Sequence, residues 1–332
     1  MKTTLILLTI ALALIHMACG QNDSMTADNR IPVLFACYAG VEPQLTNIHG
    51  LIKSIRKFGG EYRDAPFRIY VSPKVADSGS EILEQLKGLN AEYKIVNIPE
   101  EASWYFLSGM VFSAAAAEND AKDTAKIVVF LGSDTIILQQ PDEFILADGV
   151  NLGYRPVMHR NISPLFADEL DSYWSRAYEI MQIDPSTVFS MVTPADGDTI
   201  RPYFNAACLA TRPEKGLFNK WTETYLRLCA DSALKEECAP EERRRIFTFQ
   251  VALTGAILNN LDRNEIVEFS DRYNYPIFFK EMYGARYDFH DISDAVTIRY
   301  ESFFYNPIPD WDQILKGPAD KITWIKENFI QE

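Results

Sequence analysis

Ile127-Val-Val-Phe-Leu-Gly-Ser-Asp-Thr-Ile-Ile-Leu138 opens with five consecutive apolar residues, breaks at Gly132-Ser-Asp134, and returns to an apolar stretch from Thr135 to Leu138. A run this short and this apolar reads as a strand buried on both faces. Gly132 permits a close turn, which leaves Asp134 at the carboxyl edge of the strand. Upstream, strand and helix patterns alternate. Ile31 to Tyr38, Phe67 to Val71 and Tyr93 to Ile98 read as strands. Leu45 to Phe58, Ser80 to Leu89 and the Ala-rich stretch Ser103 to Glu118 read as helices. Such alternation implies an α/β fold with a mostly parallel central sheet and helices on both faces. Open sheets of this kind bind ligands beyond the carboxyl ends of their strands, so Tyr38, Ser133 and Asp134 are candidate substrate-binding residues.

Downstream the pattern is less regular. Tyr203 to Ala210 reads as a strand, Gly216 to Leu228 and Arg243 to Leu258 as helices, and Tyr273 to Phe279 and Ala295 to Tyr300 as short extended pieces. Trp311 to Phe329 reads as a final amphipathic helix, interrupted near Gly317-Pro318. No internal repeat and no linker divides residues 31–332, which are expected to form one domain.

The first residues do not belong to that domain. Lys2 precedes an apolar run from Leu5 to Ile15, broken only by Thr9 and too short for a comfortable membrane span. Residues 1–19 are therefore expected to be an export signal. Its end, His16-Met-Ala-Cys19, resembles a bacterial lipobox in which Cys19 takes the lipid, with a plain secretory signal as the alternative. Residues 20–30 read as a flexible tether. An exported protein, held in the cell envelope by a lipid anchor or secreted, is the expectation.

The other cysteines are Cys37, Cys208, Cys229 and Cys238. Cys229 and Cys238 are close enough in sequence to bridge, while Cys37 and Cys208 fall in strands and read as small apolar residues. No spacing suits zinc. The formal net charge of −14 argues against nucleic acid as a partner, because phosphate backbones are bound through Lys and Arg. Arg243-Arg-Arg245 reads as a solvated helix face.

Several segments, taken in order, resemble GT-A glycosyltransferases, especially glycosyltransferase family 8. Leu131-Gly-Ser-Asp134 resembles the Asp-x-Asp turn, and Pro202-Tyr-Phe-Asn-Ala-Ala207 resembles a Tyr-Phe-Asn-Ala-Gly segment. Thr248-Phe-Gln-Val-Ala-Leu253 resembles a helical Asp-Gln motif, Arg272-Tyr-Asn-Tyr-Pro276 a Tyr-Asn-x-Pro segment, and Ala295-Val-Thr-Ile-Arg-Tyr300 a late strand that carries a metal-binding His. The resemblance implies a GT-A-like nucleotide-diphospho-sugar transferase. Such an enzyme moves a hexose from a nucleotide sugar to a glycan or lipid acceptor, with Mn²⁺ or Mg²⁺ neutralising the diphosphate. It makes Asn205 and Gln250 the candidate catalytic residues, lining the acceptor side.

The departures fall together. Gly132 stands where the resemblance implies the first carboxylate, Phe249 where it implies Asp, and Arg299 where it implies the His. Asp134 alone makes a weak site for a hard dication. Two readings follow. In one, Arg299 replaces the metal and Asp134 orients the sugar or ribose. In the other, the chain is an exported, catalytically degenerate carbohydrate-binding lipoprotein. Each residue also has a plain structural role to weigh: Asp134 as a turn cap, Asn205 and Gln250 as satisfied polar groups, and Arg299 as a partner of Asp288, Asp291 or Glu301. Trp104, Tyr105, Trp174 and Tyr178 read as core rather than as sugar-stacking platforms.

Overall fold

Val33, Phe35 and Cys37 of the first strand face one hydrophobic core, and Leu34 and Ala36 face another. The same alternation holds in the strand before Gly132, where Ile127, Val129 and Leu131 oppose Val128 and Phe130. Two-sided burial is why these strands are continuous apolar runs. The computed structural model describes residues 28–103, 105, 107–279, 290–301, 303–304 and 311–329. The export signal with Cys19, most of the tether, Trp104 and Asp288 lie outside the described residues.

Residues 31–332 form one compact unit. Its strands are β1 (Ile31–Ala39), β2 (Phe67–Val71), β3 (Ala91–Ile95), β4 (Ala125–Leu131), β5 (Thr135–Ile137), β6 (Leu152–Pro156), β7 (Met191–Val192), β8 (Thr199–Ile200), β9 (Phe204–Thr211), β10 (Ile266–Glu268), β11 (Tyr275–Pro276) and β12 (Thr297–Arg299). Its α-helices are α1 (Glu42–Phe58), α2 (Pro73–Ala76), α3 (Glu81–Lys87), α4 (Ser108–Ala121), α5 (Ser172–Met181), α6 (Leu217–Ala230), α7 (Ser232–Cys238), α8 (Glu242–Asn260), α9 (Trp311–Ile314) and α10 (Ala319–Phe329). The main sheet runs β10-β6-β9-β4-β1-β2-β3. It is parallel except at β9, which is antiparallel to both β4 and β6. Helix α1 covers one face through Leu45, Ile48, Leu51, Ile52 and Ile55. Helices α4, α5, α6 and α8 cover the other. The α/β class and the mostly parallel, two-sided sheet are as expected from the sequence.

A second sheet, β11-β12-β5, positions the turn after β4. Ser54 of α1 ties down its edge by accepting the Ile137 N–H at 2.9 Å while donating to the Leu51 carbonyl. The β5–β12 register places Arg299 opposite Thr135, one residue from Asp134.

Two expectations need correction and a third is met. The Ala-rich helix starts at Ser108 rather than Ser103, because Tyr105 turns into the core against Tyr225 (5.7 Å between ring centroids) before α4 begins. Cys229 and Cys238 do not bridge: both are buried free thiols, one on α6 and one on α7. The last helix is interrupted around Gly317-Pro318, as expected, and forms α9 and α10. Among the core aromatics, Tyr105, Trp174 and Tyr178 are fully buried. Arg244 pairs with Asp171, Glu237 and Glu241, and Arg245 with Glu242, so the Arg triplet forms no open basic patch.

Candidate active site

The carboxyl ends of β1 and β4, the start of β9 and the small sheet surround a cavity of about 530 Å³. Tyr38, Ser133, Asp134, Asn205, Gln250 and Arg299 all line it. These six sequence candidates come from five separate segments of chain.

The centre of the site is a buried ion pair. Arg299 Nε lies 2.8 Å from Asp134 Oδ1, and both side chains are about one-seventh exposed. The contact is an ion pair rather than a well-formed hydrogen bond. Arg299 thus pairs with Asp134 rather than with Asp291 or Glu301. Burial opposes the guanidinium's charge, but Asp134, with help from Glu301, outweighs it and holds its pKa above the ordinary value. Asp134 is fixed in turn: Oδ2 accepts the Glu301 N–H at 3.1 Å, and its carbonyl accepts the Tyr300 N–H at 3.2 Å. The preceding turn is closed by Thr135 N–H to the Gly132 carbonyl, and is tied to β9 by Gly132 N–H to the Ala207 carbonyl at 2.8 Å.

A larger residue at Gly132 would be crowded. A Cβ at this position would lie 3.0 Å from Asp134 Oδ1, 3.1 Å from Ala207 Cβ and 3.2 Å from Arg299 Cζ. The guanidinium fills the room that a side chain at 132 would need. This arrangement does not fit a hard dication. Both carboxylate oxygens of Asp134 are engaged, one of them by a cation. No group of three or more His, Cys, Asp or Glu residues able to hold a metal occurs among the described residues.

The other candidates form the walls. Tyr38 ends β1, and its ring rests on Gly109, where any Cβ would overlap it. Burial raises the phenol's pKa, so it remains a neutral hydrogen-bonding group. Asn205 folds back on β9, its Oδ1 accepting the Ala207 N–H at 2.9 Å. Gln250 accepts the Ala206 N–H at 3.1 Å through Oε1 and donates Nε2 to the Tyr203 hydroxyl at 3.2 Å. Most of its amide therefore braces the wall, which leaves one Nε2 hydrogen for a ligand. Phe249 stacks on Trp221 at 6.3 Å between centroids and gives the wall an apolar face where the resemblance implies a carboxylate.

Sequence reasoning missed Gln44, Asn47, His159, Asn161, Asn274 and Glu301, which also line the cavity. Gln44 and Asn47 sit in the first turns of the helix after β1, the position where α/β sheets bind ligands, and that was a usable signal. Burial lowers the His159 pKa, with Asp196 working against it and Arg243 adding to it, so the imidazole is neutral near pH 7. Three non-glycine residues of the wall hold left-handed backbone: Asn161 (φ 51°), Asn274 (φ 54°) and Glu301 (φ 42°). Strain of this kind persists where surrounding structure over-determines it, as ligand sites often do.

No curated protein matches the sequence. Mouse xyloside xylosyltransferase 1 is similar in structure at 11% identity and a TM-score of 0.44, over 84% of this chain and 99% of that one. The galactosyltransferase LgtC, solved with donor and acceptor sugar analogs, is similar at 13% identity and a TM-score of 0.45, over 91% and 97%. Core-mannan synthase A from Aspergillus fumigatus, in its Mn/GDP form, is similar at 10% identity and a TM-score of 0.43, over 75% and 74%. Residues 50–259 match the family described as the Rhodobacterales glycosyltransferase domain, a span that holds Asp134, Asn205 and Gln250. The chain belongs to the Rhodobacterales glycosyltransferase domain family.

Proposed function

We propose that this glycosyltransferase moves a hexose from a nucleotide sugar to a glycan or lipid acceptor without a divalent metal, and that Arg299 neutralises the leaving diphosphate. The observation that carries the reading is the Asp134–Arg299 pair in the space beside Gly132. Asp134 engages Arg299 through Nε, and the two Nη groups make no hydrogen bond among the described residues. That leaves the planar fork for phosphate oxygens, a charge-assisted geometry that arginine supplies well. In the transfer, the acceptor hydroxyl oxygen bonds to the anomeric carbon and the bond from that carbon to the diphosphate oxygen breaks. The hydroxyl proton leaves with the diphosphate or to water. Asn205 and Gln250 line the acceptor side, while Tyr38 and Ser133 contact the donor. Transfer is expected to persist at full rate in excess EDTA; a rate that collapses in EDTA and returns with Mn²⁺ or Mg²⁺ overturns the metal-free mechanism.

A second reading, glycan binding without turnover, is favoured by the fact that Gln250 spends most of its amide on the wall. Hydrolysis of, or transfer from, any nucleotide sugar rejects it.

We further propose export and lipid anchoring. The apolar run Leu5–Ile15 and the Cys19 ending support this reading. Cys19→Ala is expected to release the protein from the membrane fraction; retention there removes the lipid anchor.

A further inference from the structure

Six carboxamides line the cavity: Gln44, Asn47, Asn161, Asn205, Gln250 and Asn274. Three have evident partners. Gln44 Oε1 accepts the Gly40 N–H at 2.7 Å and caps α1, while Asn205 and Gln250 hold β9 as described. Asn47 and Asn274 differ. Each is buried, at 8% and 2% exposure, and each has a side-chain oxygen with no hydrogen-bond partner. Their side-chain nitrogens also make no hydrogen bond among the described residues. Buried amides are almost always paired, because an unpaired one costs about 1–3 kcal/mol.

Their placement explains what they await. Asn274 immediately precedes β11, the strand beside β12, and its N–H donates to Thr297 Oγ1 at 2.7 Å. It therefore stands one strand from Arg299. Asn47 comes from α1, the helix packed over β5 on the other side of β12. The two amides line the same cavity as the ion pair. We propose that Asn47 and Asn274 are sugar-binding residues whose carboxamides take hydroxyl groups of an uncharged hexose. A carboxamide both donates and accepts, as a sugar hydroxyl does, so the match needs no net charge. An acidic sugar requires a spare cation. Among the described residues the only Lys or Arg lining the cavity is Arg299, whose fork the diphosphate takes in the proposed function, and Glu301 adds a further carboxylate. The assignment rests on the transfer reading only for the presence of a sugar, and it names that sugar's class.

The test is saturation-transfer NMR on the full-length chain with methyl glucoside, methyl galactoside, methyl mannoside and glucuronate at millimolar concentration. At least one neutral glycoside is expected to bind, with glucuronate at least about tenfold weaker. Asn274→Gly and Asn47→Ala are each expected to weaken the neutral ligand about fivefold, the worth of one neutral hydrogen bond. Glycine accepts the left-handed backbone at 274, so that variant removes only the amide. If it fails to fold in a thermal melt, Asn47→Ala, which suits a helix, carries the test alone. Binding by no neutral glycoside, equal affinity for glucuronate, or wild-type binding by both variants overturns the assignment. Turnover of a nucleotide sugar is read separately. Glycoside binding without turnover removes the transfer reading and keeps the assignment; turnover with wild-type binding by both variants does the reverse.

Discussion

Arg299→Ala is expected to lower kcat by about 10²–10³-fold, the usual loss when a preorganised donor to a developing anion is removed. The fall should appear in kcat more than in KM, since the charge on the leaving diphosphate grows toward the transition state. The variant also leaves Asp134 without its cation. Breaking a buried pair costs about 3–5 kcal/mol. The partial exposure of both side chains and the Glu301 N–H that remains on Oδ2 place this case at the low end. Arg299→Lys keeps the charge but loses the planar fork, and should recover stability better than rate. Added guanidinium at low millimolar concentration should restore part of the rate to Arg299→Ala, because the vacated space beside Gly132 and Asp134 has its shape. Steady-state kinetics with thermal unfolding on the same preparations separates the two effects. An Arg299→Ala enzyme that turns over at the wild-type rate sinks the assignment of Arg299.

Trp221→Ala is expected to cost about 3–5 kcal/mol of folding stability, the range for emptying a large aromatic site. Against a typical total of about 5–15 kcal/mol, that unfolds a large part of the population at growth temperature. Trp221 is fully buried, lies between Phe218 and Phe249, and donates its indole N–H to the Phe249 carbonyl at 2.7 Å. Removal leaves a void and takes from the Phe249 carbonyl the donor it has beyond its own helix bond. The damage should reach the cavity, because Phe249 lines its wall next to Gln250. Trp221→Phe should retain most of the packing and lose the hydrogen bond. Urea denaturation measures both; an unchanged midpoint for Trp221→Ala contradicts the packing described.

Much of the first half of the fold was legible because β1, β2 and β4 are largely buried on two faces and so are mostly apolar, whereas β3 is exposed from Glu92 to Ile95. Strand β6 was not. Its sequence, Leu-Gly-Tyr-Arg-Pro, carries two residues that argue against a central strand. Arg155 is nonetheless buried, because its guanidinium spans to the Phe269 carbonyl (2.5 Å) and Asp271 (2.6 Å), contacts invisible to any local pattern. Gly153 is tolerated because the Phe269 ring fills the place of its side chain. The candidate site was legible as a set, since Tyr38 and Asp134 end or follow strands and Asn205, Gln250 and Arg299 lie in ordered segments. Its inner geometry was not. The partner of Arg299 depends on the β5–β12 register, which the short extended pieces do not announce. Asn47 and Asn274 are two among many amides until burial shows which ones lack partners.

The closeness of Gly132 to the guanidinium has a historical consequence. With 3.2 Å between a Cβ at 132 and Arg299 Cζ, a side chain at 132 crowds the guanidinium, and one of the two must give by a few tenths of an ångström. A lineage that carried a larger residue at 132 meets the least crowding if that position empties before, or together with, the arrival of arginine at 299. Relatives that share this backbone and keep arginine at 299 should therefore favour glycine over larger residues at 132.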